Sequence, residues 1–494
     1  MSLARVHARA LVGVEARPVS VEVDIAGGLP AFTLVGLPET VVRESRDRVR
    51  AALLNAGFDF PQRRITVSLA PADLPKEGGR FDLPIALGLL AASGQVPQDG
   101  LEHREFAGEL SLGGGLRAVP GAVPTALAAE RAGRTLVLPR SASHEAALVP
   151  QADVRVADAL IDVASWLRGV GELDVAEARE PASVACADLR DVRGQHHARR
   201  AIEIAAAGGH NVVLVGPPGS GKSMLASRLP GLLPPLDLDT ALASAAVQSV
   251  SAAGFDPSQW AVPPFRSPHH TVSGVALVGG GTRAAPGEVS LAHGGVLFLD
   301  ELAEFPRAVL DVLREPLESG VIHISRARRQ ATYPAAFQFI GAMNPCPCGY
   351  SGETVHACRC TAEQVQRYRA RVSGPLLDRI DLHVTLQAVN YASIRQEAEA
   401  ESSVTVASRV AMARSRQYAR QGCLNARLGV AALDHRCALQ GEAAVVFERA
   451  VSQLGLSLRS CHRVLRVART VADLAGDTDI DTVHLGEALG FRGG

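Results

Sequence analysis

The chain has 494 residues, a formal net charge of −1 and 47% hydrophobic residues, with aromatic residues making up only 4%. A net charge this close to zero excludes an overall basic field as the basis of nucleic-acid binding, so any such binding must come from a local patch. Since no apolar run reaches the length of a bilayer span, we expect a cytoplasmic protein without membrane contacts. At roughly 100–200 residues per domain, the length predicts about three domains.

The N-terminal third alternates between strand patterns, such as residues 65–69, and helix patterns, such as residues 82–93. This alternation predicts a mixed α/β domain. An acidic stretch with proline and small residues follows it, and the last hundred residues have helical apolar spacing. The predicted organisation is an α/β domain at 1–175, a linker at 176–190, a core at 191–390 and a helical lid at 391–494.

The most informative stretch has the spacing G-x-x-x-x-G-K-S of a phosphate-binding loop. Its residues are Gly216, Pro217, Pro218, Gly219, Ser220, Gly221, Lys222 and Ser223. A buried-strand pattern precedes it and a helix pattern follows it, which is the context that the motif requires. Glycines let backbone N–H groups point at phosphate oxygens. We expect ATP as the ligand, with Lys222 at the β- and γ-phosphates and the Ser223 hydroxyl on Mg²⁺.

A second half of this site is predicted at Asp300 and Glu301, which follow the apolar residues 295–299. Acidic residues at the carboxyl end of a buried parallel strand lie where open α/β sheets bind their ligands. We expect Asp300 to hold Mg²⁺ through water and Glu301 to polarise the attacking water. An apolar run before two acidic residues is weak evidence for a nucleotide site when it occurs alone. It is strong evidence on a chain that also has a phosphate-binding loop.

Four cysteines lie close together as C-x-C, nine residues, C-x-C: Cys346, Cys348, Cys358 and Cys360. Four thiolates suit tetrahedral Zn²⁺, with His356 as an alternative ligand. The other interpretation is that the thiols are reduced and packed without a metal. In a cytoplasmic protein, metal binding and packed thiols are both more common than disulfides. A zinc ion here would stiffen the loop rather than take part in catalysis.

Residues 320–333 alternate like a hairpin and carry Arg326, Arg328 and Arg329 near the tip. Arginines at a hairpin tip suit sequence-independent contacts with DNA phosphates, which are sensitive to salt. A solvated turn is the alternative, since charge runs usually have that role. The local charge alone is compatible with either interpretation.

Several longer runs carry a family resemblance. They are FRSPHHT at 265–271, LVGGG at 277–281, PGEVSLAH at 286–293, MNPCPCG at 343–349 and VARTVADL at 467–474. Together they resemble the ComM/YifB group of magnesium-chelatase-like AAA+ proteins over essentially the whole chain. The resemblance implies a homohexameric ATPase that moves on single-stranded or branched DNA, extends heteroduplex when transforming DNA is integrated, and works beside recombination proteins.

The resemblance also implies roles for two residues near the ATP site. Asn344, at the end of the strand pattern 337–343, corresponds to sensor 1, which contacts the γ-phosphate or positions water. Arg379 corresponds to the arginine finger of the LLDR run, which a neighbouring subunit supplies to the nucleotide. An ion pair with Asp378 or Asp381 of the same chain is the alternative for Arg379.

In the lid, Arg459 corresponds to sensor 2 and is expected at the γ-phosphate, although Arg463 and Arg466 recur on the same helix. The AAA+ branch concerned carries two insertions, and its replicative helicases use them as pore hairpins. Residues 265–292, whose strand patterns are too short for a sheet core, match the first insertion. The hairpin pattern at 320–333 matches the second, and the ring implied by the resemblance leads us to expect that its arginines contact DNA phosphates.

Residues 108–114 and the helix pattern ending at 133 resemble the Lon-protease-like domain. Lon-type proteases need a serine and a lysine, but residues 76–90 contain no Ser, Thr or Cys and residues 111–131 contain no Lys. Without nucleophile and base the domain has no machinery for acyl transfer. We therefore expect a scaffold for assembly or DNA handling.

The predicted fold is α/β: a Lon-protease-like domain of the ribosomal S5 domain 2 type, an AAA+ core with a parallel sheet, and a C-terminal helical lid. The predicted function is ATP-driven branch migration of DNA in natural transformation. One alternative is a motor that remodels a protein complex, as the magnesium chelatase motor does, without DNA. A second alternative is an ATP-dependent protease, which the missing Ser/Lys pair opposes.

Overall fold

The computed structural model describes residues 2–36, 44–179, 186–281, 284–326, 329–353, 356–388 and 400–492. The chain divides into two compact units. The first comprises Met1–Ser183, Ala241–Trp260 and His323–Tyr333, and the second comprises Val184–Thr240, Ala261–Ile322 and Pro334–Gly494. Residues 241–260 and 323–333, which the sequence places within the core, therefore group with the N-terminal residues.

The first unit is built on an eight-stranded sheet. In chain order its strands are Ser2–Val12, Glu15–Ala26, Ala31–Val35, Arg64–Ala70, Arg104–Phe106, Thr135–Pro139, Val154–Ala157 and Asp174–Val175. The first two strands pair antiparallel, from Ser2↔Ile25 to Val12↔Glu15, in the middle of the sheet. A small ladder joins Glu109–Leu110 to Leu116–Arg117.

The helices of the first unit cover this sheet. They are Ser45–Asn55, Asp82–Ala92, Ala122–Arg131, Ser143–Ala146 and Leu160–Leu167, with most of Leu238–Ser249. Every residue of Asp82–Ala92 is buried, as expected for a helix that is apolar on all sides. A side chain at Gly88 would meet Val23 of the central strand pair at 2.5 Å, so this helix packs closely on the sheet.

The predicted arginine hairpin forms a separate two-stranded sheet, Val321–Arg326 with Arg329–Pro334. Its second strand lies against the turn between the first two strands of the chain, since a Cβ on Gly13 would be 3.1 Å from the Cβ of Ala331. Of the three predicted DNA contacts, Arg328 lies outside the described residues. Arg326 ends the first strand and Arg329 begins the second, and only their backbone is described.

The second unit contains a five-stranded sheet in which every pairing is parallel. Its spatial order is Phe265–Arg266, Val296–Leu299, Gln338–Met343, Val212–Val215 and Leu382–Thr385. The expectation that the strands within 265–292 are too short for the sheet core is wrong at Phe265–Arg266. These two residues extend the sheet because they pair with Val296 and Leu297, and the Val296 N–H also donates to the Pro264 carbonyl.

Helices surround this parallel sheet and then follow it. Those of the core are His196–Gly208, Lys222–Ala226, Gly274–Val278, Glu288–Leu291, Arg307–Asp311, Arg314–Ser319, Ala362–Arg369 and Gly374–Leu377. A ladder pairs Gly279–Gly280 with Ala285–Pro286. The C-terminal helices are Ser403–Gln421, Val430–Arg436, Gly441–Leu454, Leu458–Ala475 and Thr482–Gly490. The predicted class, a mixed α/β protein with a parallel-sheet core and C-terminal helices, is confirmed.

Short 3₁₀ turns complete the structure: Gly79–Phe81, Arg140–Ala142, Leu189–Asp191, Leu229–Leu232, Pro257–Gln259, Leu302–Glu304 and Asn425–Arg427. Across the described ranges, no helix combines the length and the apolar character that crossing a membrane requires.

A buried polar network centred on Asp473 holds the C-terminal helices together. The Asp473 carboxylate accepts hydrogen bonds from Arg420 at 2.6 and 2.8 Å, from Asn425 at 2.8 Å and from Arg469 at 3.2 Å. Asn425 also donates to Thr470, whose hydroxyl lies 2.7 Å from Nε2 of His210 in the core. The network therefore fastens the lid helices to the end of the helix His196–Gly208.

Candidate nucleotide site and cysteine cluster

The phosphate-binding loop follows the strand Val212–Val215 at the carboxyl edge of the parallel sheet. Gly219 and Gly221 take φ values of 76° and 90°, which only glycine adopts without strain. A Cβ on either glycine would have no heavy atom within 4 Å, so open space faces the loop. The Ser220 hydroxyl is buried and has no hydrogen-bond partner among the described residues. These features fit a cradle for phosphate groups.

Lys222 brings the loop and the predicted sensor together. Its ammonium donates to the carbonyls of Gly216 at 2.7 Å and Pro217 at 2.8 Å, and to Oδ1 of Asn344 at 3.2 Å. Burial lowers the pKa of Lys222, and the nearby Asp300 carboxylate partly opposes that shift. Asn344 reaches Lys222 because its strand, Gln338–Met343, pairs directly with the strand that leads into the loop.

The two predicted magnesium ligands are also adjacent. Ser223 donates its hydroxyl to Oδ2 of Asp300 at 2.5 Å, although 77 residues separate them. A hydroxyl and a carboxylate are hard oxygen donors, the type that Mg²⁺ prefers beside phosphate oxygens. The donor set at this edge of the sheet therefore fits Mg²⁺ held with a bound nucleotide.

Glu301 has an unusual backbone and an unpredicted neighbour. Its φ is 51°, in the left-handed region that non-glycine residues rarely adopt and that is often strained at functional sites. Its side chain is 55% exposed, and Oε2 lies 2.9 Å from Nδ1 of His270. His270 belongs to the family run FRSPHHT, but the sequence pattern predicts no role for it.

Arg379 is buried, with 7% of its surface exposed. Its guanidinium lies 2.6 Å from Oε1 of Glu318 and donates to the Pro375 carbonyl at 2.6 Å. The alternative prediction for Arg379 is an ion pair with Asp378 or Asp381 of the same chain. That choice of partner is wrong, because the ion pair is with Glu318. Glu318 lies in the last turn of the helix Arg314–Ser319, just before the arginine hairpin, a position that sequence spacing does not reveal.

The three lid arginines have different surroundings. Arg459 is exposed in the first turn of the helix Leu458–Ala475. Arg463 instead donates to the buried Asp381 at 2.5 Å, and Arg466 donates to the Leu428 carbonyl at 2.6 Å. Of the three, Arg459 is the arginine left available for a ligand.

The four clustered cysteines converge as predicted from their spacing. Their Sγ atoms all lie within 4.8 Å of one another, and the Cys346–Cys348 distance is 3.3 Å. N–H groups of Tyr350 and Arg359 lower the pKa of the Cys348 thiol to about 6. The ring of His356, the alternative ligand, lies 5.0 Å from the Tyr350 ring.

The cysteine cluster lies beside the nucleotide site. Cys346 follows Asn344 by two residues, and Gly349, at φ 88°, packs on the phosphate-binding loop. A Cβ on Gly349 would come within 2.5 Å of Cδ of Pro218. The conformation of the cysteine loop is therefore coupled to that of the phosphate cradle.

Comparison with known proteins agrees with this geometry. Family models for subunit ChlI of magnesium chelatase match residues 21–142, 188–394 and, as its C-terminal part, 400–492. The uncharacterised protein YifB of Salmonella typhimurium is 52% identical, covering all of this chain and 97% of its own length. The competence protein ComM of Haemophilus influenzae is 48% identical over 100% of this chain and 98% of its own length. An uncharacterised protein of Mycobacterium tuberculosis is 43% identical, with coverages of 100% and 99%.

Proposed function

Since the chain belongs to the ComM/YifB family of magnesium-chelatase-like AAA+ proteins, we propose that it hydrolyses ATP to drive branch migration of DNA. The convergence of Lys222, Asp300 and Asn344 at one sheet edge carries the ATPase half of the proposal. The DNA half is supported by full-length similarity to a competence protein and by the arginine hairpin. The proposed setting is homologous recombination during natural transformation.

Each residue of the site has a part in this reaction. Bound Mg²⁺ would supply positive charge to the β- and γ-phosphate oxygens. Ser223 and Asp300 would hold it, and Lys222 would turn from the loop carbonyls to the phosphates. Glu301 would polarise the attacking water while the Asn344 amide orients it.

The proposed assembly is a homohexamer in which each site lies between subunits. Arg379 would reach a neighbour's nucleotide, and for that it must exchange the Glu318 carboxylate for a phosphate. Arg459 would contact the γ-phosphate from the lid. Removing an arginine finger such as the one proposed for Arg379 typically lowers the phosphoryl-transfer rate by about 10³–10⁵-fold.

The arginine hairpin would couple hydrolysis to DNA by contacting phosphates in a sequence-independent way. The test replaces Arg326, Arg328 and Arg329 together by Ala and measures ATP hydrolysis with single-stranded or branched DNA relative to the rate without DNA. We expect DNA stimulation in the wild type and its loss in the variant.

A triple variant of exposed arginines elsewhere, Arg5, Arg307 and Arg367 to Ala, matches the charge change and should keep the stimulation. Equal stimulation in the hairpin variant would contradict the DNA contact. A wild type that hydrolyses ATP without any response to DNA would favour the alternative, a protein-remodelling motor, which the magnesium chelatase family models support.

The four clustered thiols would hold a structural Zn²⁺, because their convergence within 4.8 Å matches a tetrahedral Cys₄ site. Metal analysis of the purified protein should find about one zinc per chain. Cys358→Ser should lose it, whereas Cys186→Ser, which changes an exposed cysteine outside the cluster, should retain it. Zinc-free wild-type protein from cells supplied with zinc would overturn this assignment.

A further inference from the structure

Tandem histidines follow the edge strand Phe265–Arg266, and only one of them reaches the nucleotide site. Nδ1 of His270 lies 2.9 Å from Oε2 of Glu301. The neighbouring His269 turns its Nδ1 to the Thr271 hydroxyl at 2.9 Å instead. The two rings lie 4.1 Å apart, so they share nearly the same surroundings but differ in their contact with Glu301.

The Glu301 carboxylate has little other support. Of the residues that the structure describes, His270 is the one that forms an ion pair or hydrogen bond with this carboxylate, and the side chain is 55% exposed. Burial and packing therefore do not fix its rotamer. A catalytic group must be held within about 0.5 Å of its productive position, usually by a contact from a supporting residue. His270 is the residue placed to supply that contact.

The chemistry of the contact suits positioning. A proton on Nδ1, present in one neutral tautomer and in the imidazolium, attracts one carboxylate oxygen. The other oxygen, Oε1, remains free to accept a hydrogen bond from water. An imidazole at Oε2 therefore restrains the carboxylate without blocking its use as a base.

We infer that His270 is a positioning residue for ATP hydrolysis, which orients Glu301 toward the attacking water. The inference rests on the proposed ATPase activity and adds that the segment after the edge strand completes the site. Because His270 acts through Glu301 and not on the nucleotide, its loss should lower kcat and leave ATP binding intact. Loss of a residue with only a structural role would not lower kcat while leaving ATP binding unchanged.

The test measures steady-state ATP hydrolysis and binding of a non-hydrolysable ATP analogue with the full chain. His270→Ala should lower kcat by about tenfold or more, while KM and the analogue Kd stay within about twofold. His270→Asn places an amide N–H near the position of Nδ1 and should recover part of the loss. His269→Ala is the matched control and should keep the wild-type kcat.

A double variant tests the route of the effect. In a Glu301→Gln background, His270→Ala should lower kcat no further, because the group that it positions is already gone. A wild type that hydrolyses no ATP would overturn the proposed function together with this inference. If the wild type hydrolyses ATP and His270→Ala has an equal or higher kcat, the inference alone is overturned.

Discussion

The nucleotide site and the lid helices use the same kinds of charged residue in opposite ways. At the site, Glu301 is half exposed and Lys222 rests on two carbonyls that a phosphate can replace. In the lid, Asp473 is 1% exposed and accepts hydrogen bonds from two arginines and an asparagine. The charged groups at the site are held by contacts that a ligand can replace, whereas the Asp473 carboxylate is paired with two arginines. Substitutions in the two regions should therefore separate activity from stability.

The largest effect is expected in the lid. Asp473→Asn leaves the buried Arg469 and the partly buried Arg420 without their carboxylate, and breaking a buried ion pair costs about 3–5 kcal/mol of the free energy of unfolding. Chemical denaturation checks this prediction. The control is Asp479→Asn, which changes an exposed aspartate in the turn after the same helix. The control should stay within about 0.5 kcal/mol. A free energy of unfolding equal to that of the wild type would contradict the structural role of Asp473.

At the nucleotide site the effect should appear in activity. Lys222→Ala should lower ATP hydrolysis by about 10²–10³-fold, because a preorganised charge at the phosphates is lost. Its free energy of unfolding should change by less than about 0.5 kcal/mol. Met224→Ala, an exposed residue of the same short helix, is the activity control. A Lys222→Ala protein that is destabilised but still active would contradict the assignment of this region.

The pH dependence of stability gives a further prediction, through His293. Burial, helped by Arg427, lowers the pKa of His293 to about 4, below its unfolded value near 6.5. Protons therefore bind the unfolded chain first, and stability present above pH 6.5 is lost as the pH falls toward 4. Between pH 7.5 and pH 5 the loss should be about 2 kcal/mol.

Denaturation at the two pH values measures this loss. The control, His293→Asn, keeps an acceptor for the Ala336 N–H but does not titrate. Its stability should fall by about 2 kcal/mol less than that of the wild type over the same interval. Identical pH slopes for the two proteins would show that His293 is not the group responsible.

The smallest effect is expected where the cysteine loop meets the phosphate cradle. Gly349→Ala combines a positive φ with a contact of 2.5 Å to Pro218, so the cradle must shift. ATP affinity should fall up to about tenfold, as expected from strain of about 1–2 kcal/mol. Gly352→Ala has nearly the same φ but open space around its Cβ, and it should bind ATP normally. Equal losses in both would point to backbone strain alone.

Much of the nucleotide site could be predicted from the sequence because its parts are local. The loop from Gly216 to Ser223 has a fixed spacing, and Asp300 and Asn344 each follow an apolar strand. Parallel strands end at one edge, so residues that follow them are expected to lie together. The structure places Lys222, Asp300 and Asn344 in this way.

The rest depends on contacts between distant residues, which spacing does not encode. Glu318 contacts Arg379 across 61 positions, and His270 contacts Glu301 across 31, through surroundings that only the folded chain creates. Asn425 likewise donates a hydrogen bond to Asp473 across 48 positions. Two-residue strands such as Phe265–Arg266 lie below the length at which periodicity can be recognised.

ATP-dependent migration of a synthetic four-way DNA junction is the decisive assay for the proposed motor. Wild-type protein with ATP and Mg²⁺ should convert the junction to its products. Glu301→Gln, which keeps the shape of the side chain but not its charge, should bind the junction and fail to move it. A wild type that leaves the junction unchanged while hydrolysing ATP would contradict the DNA motor.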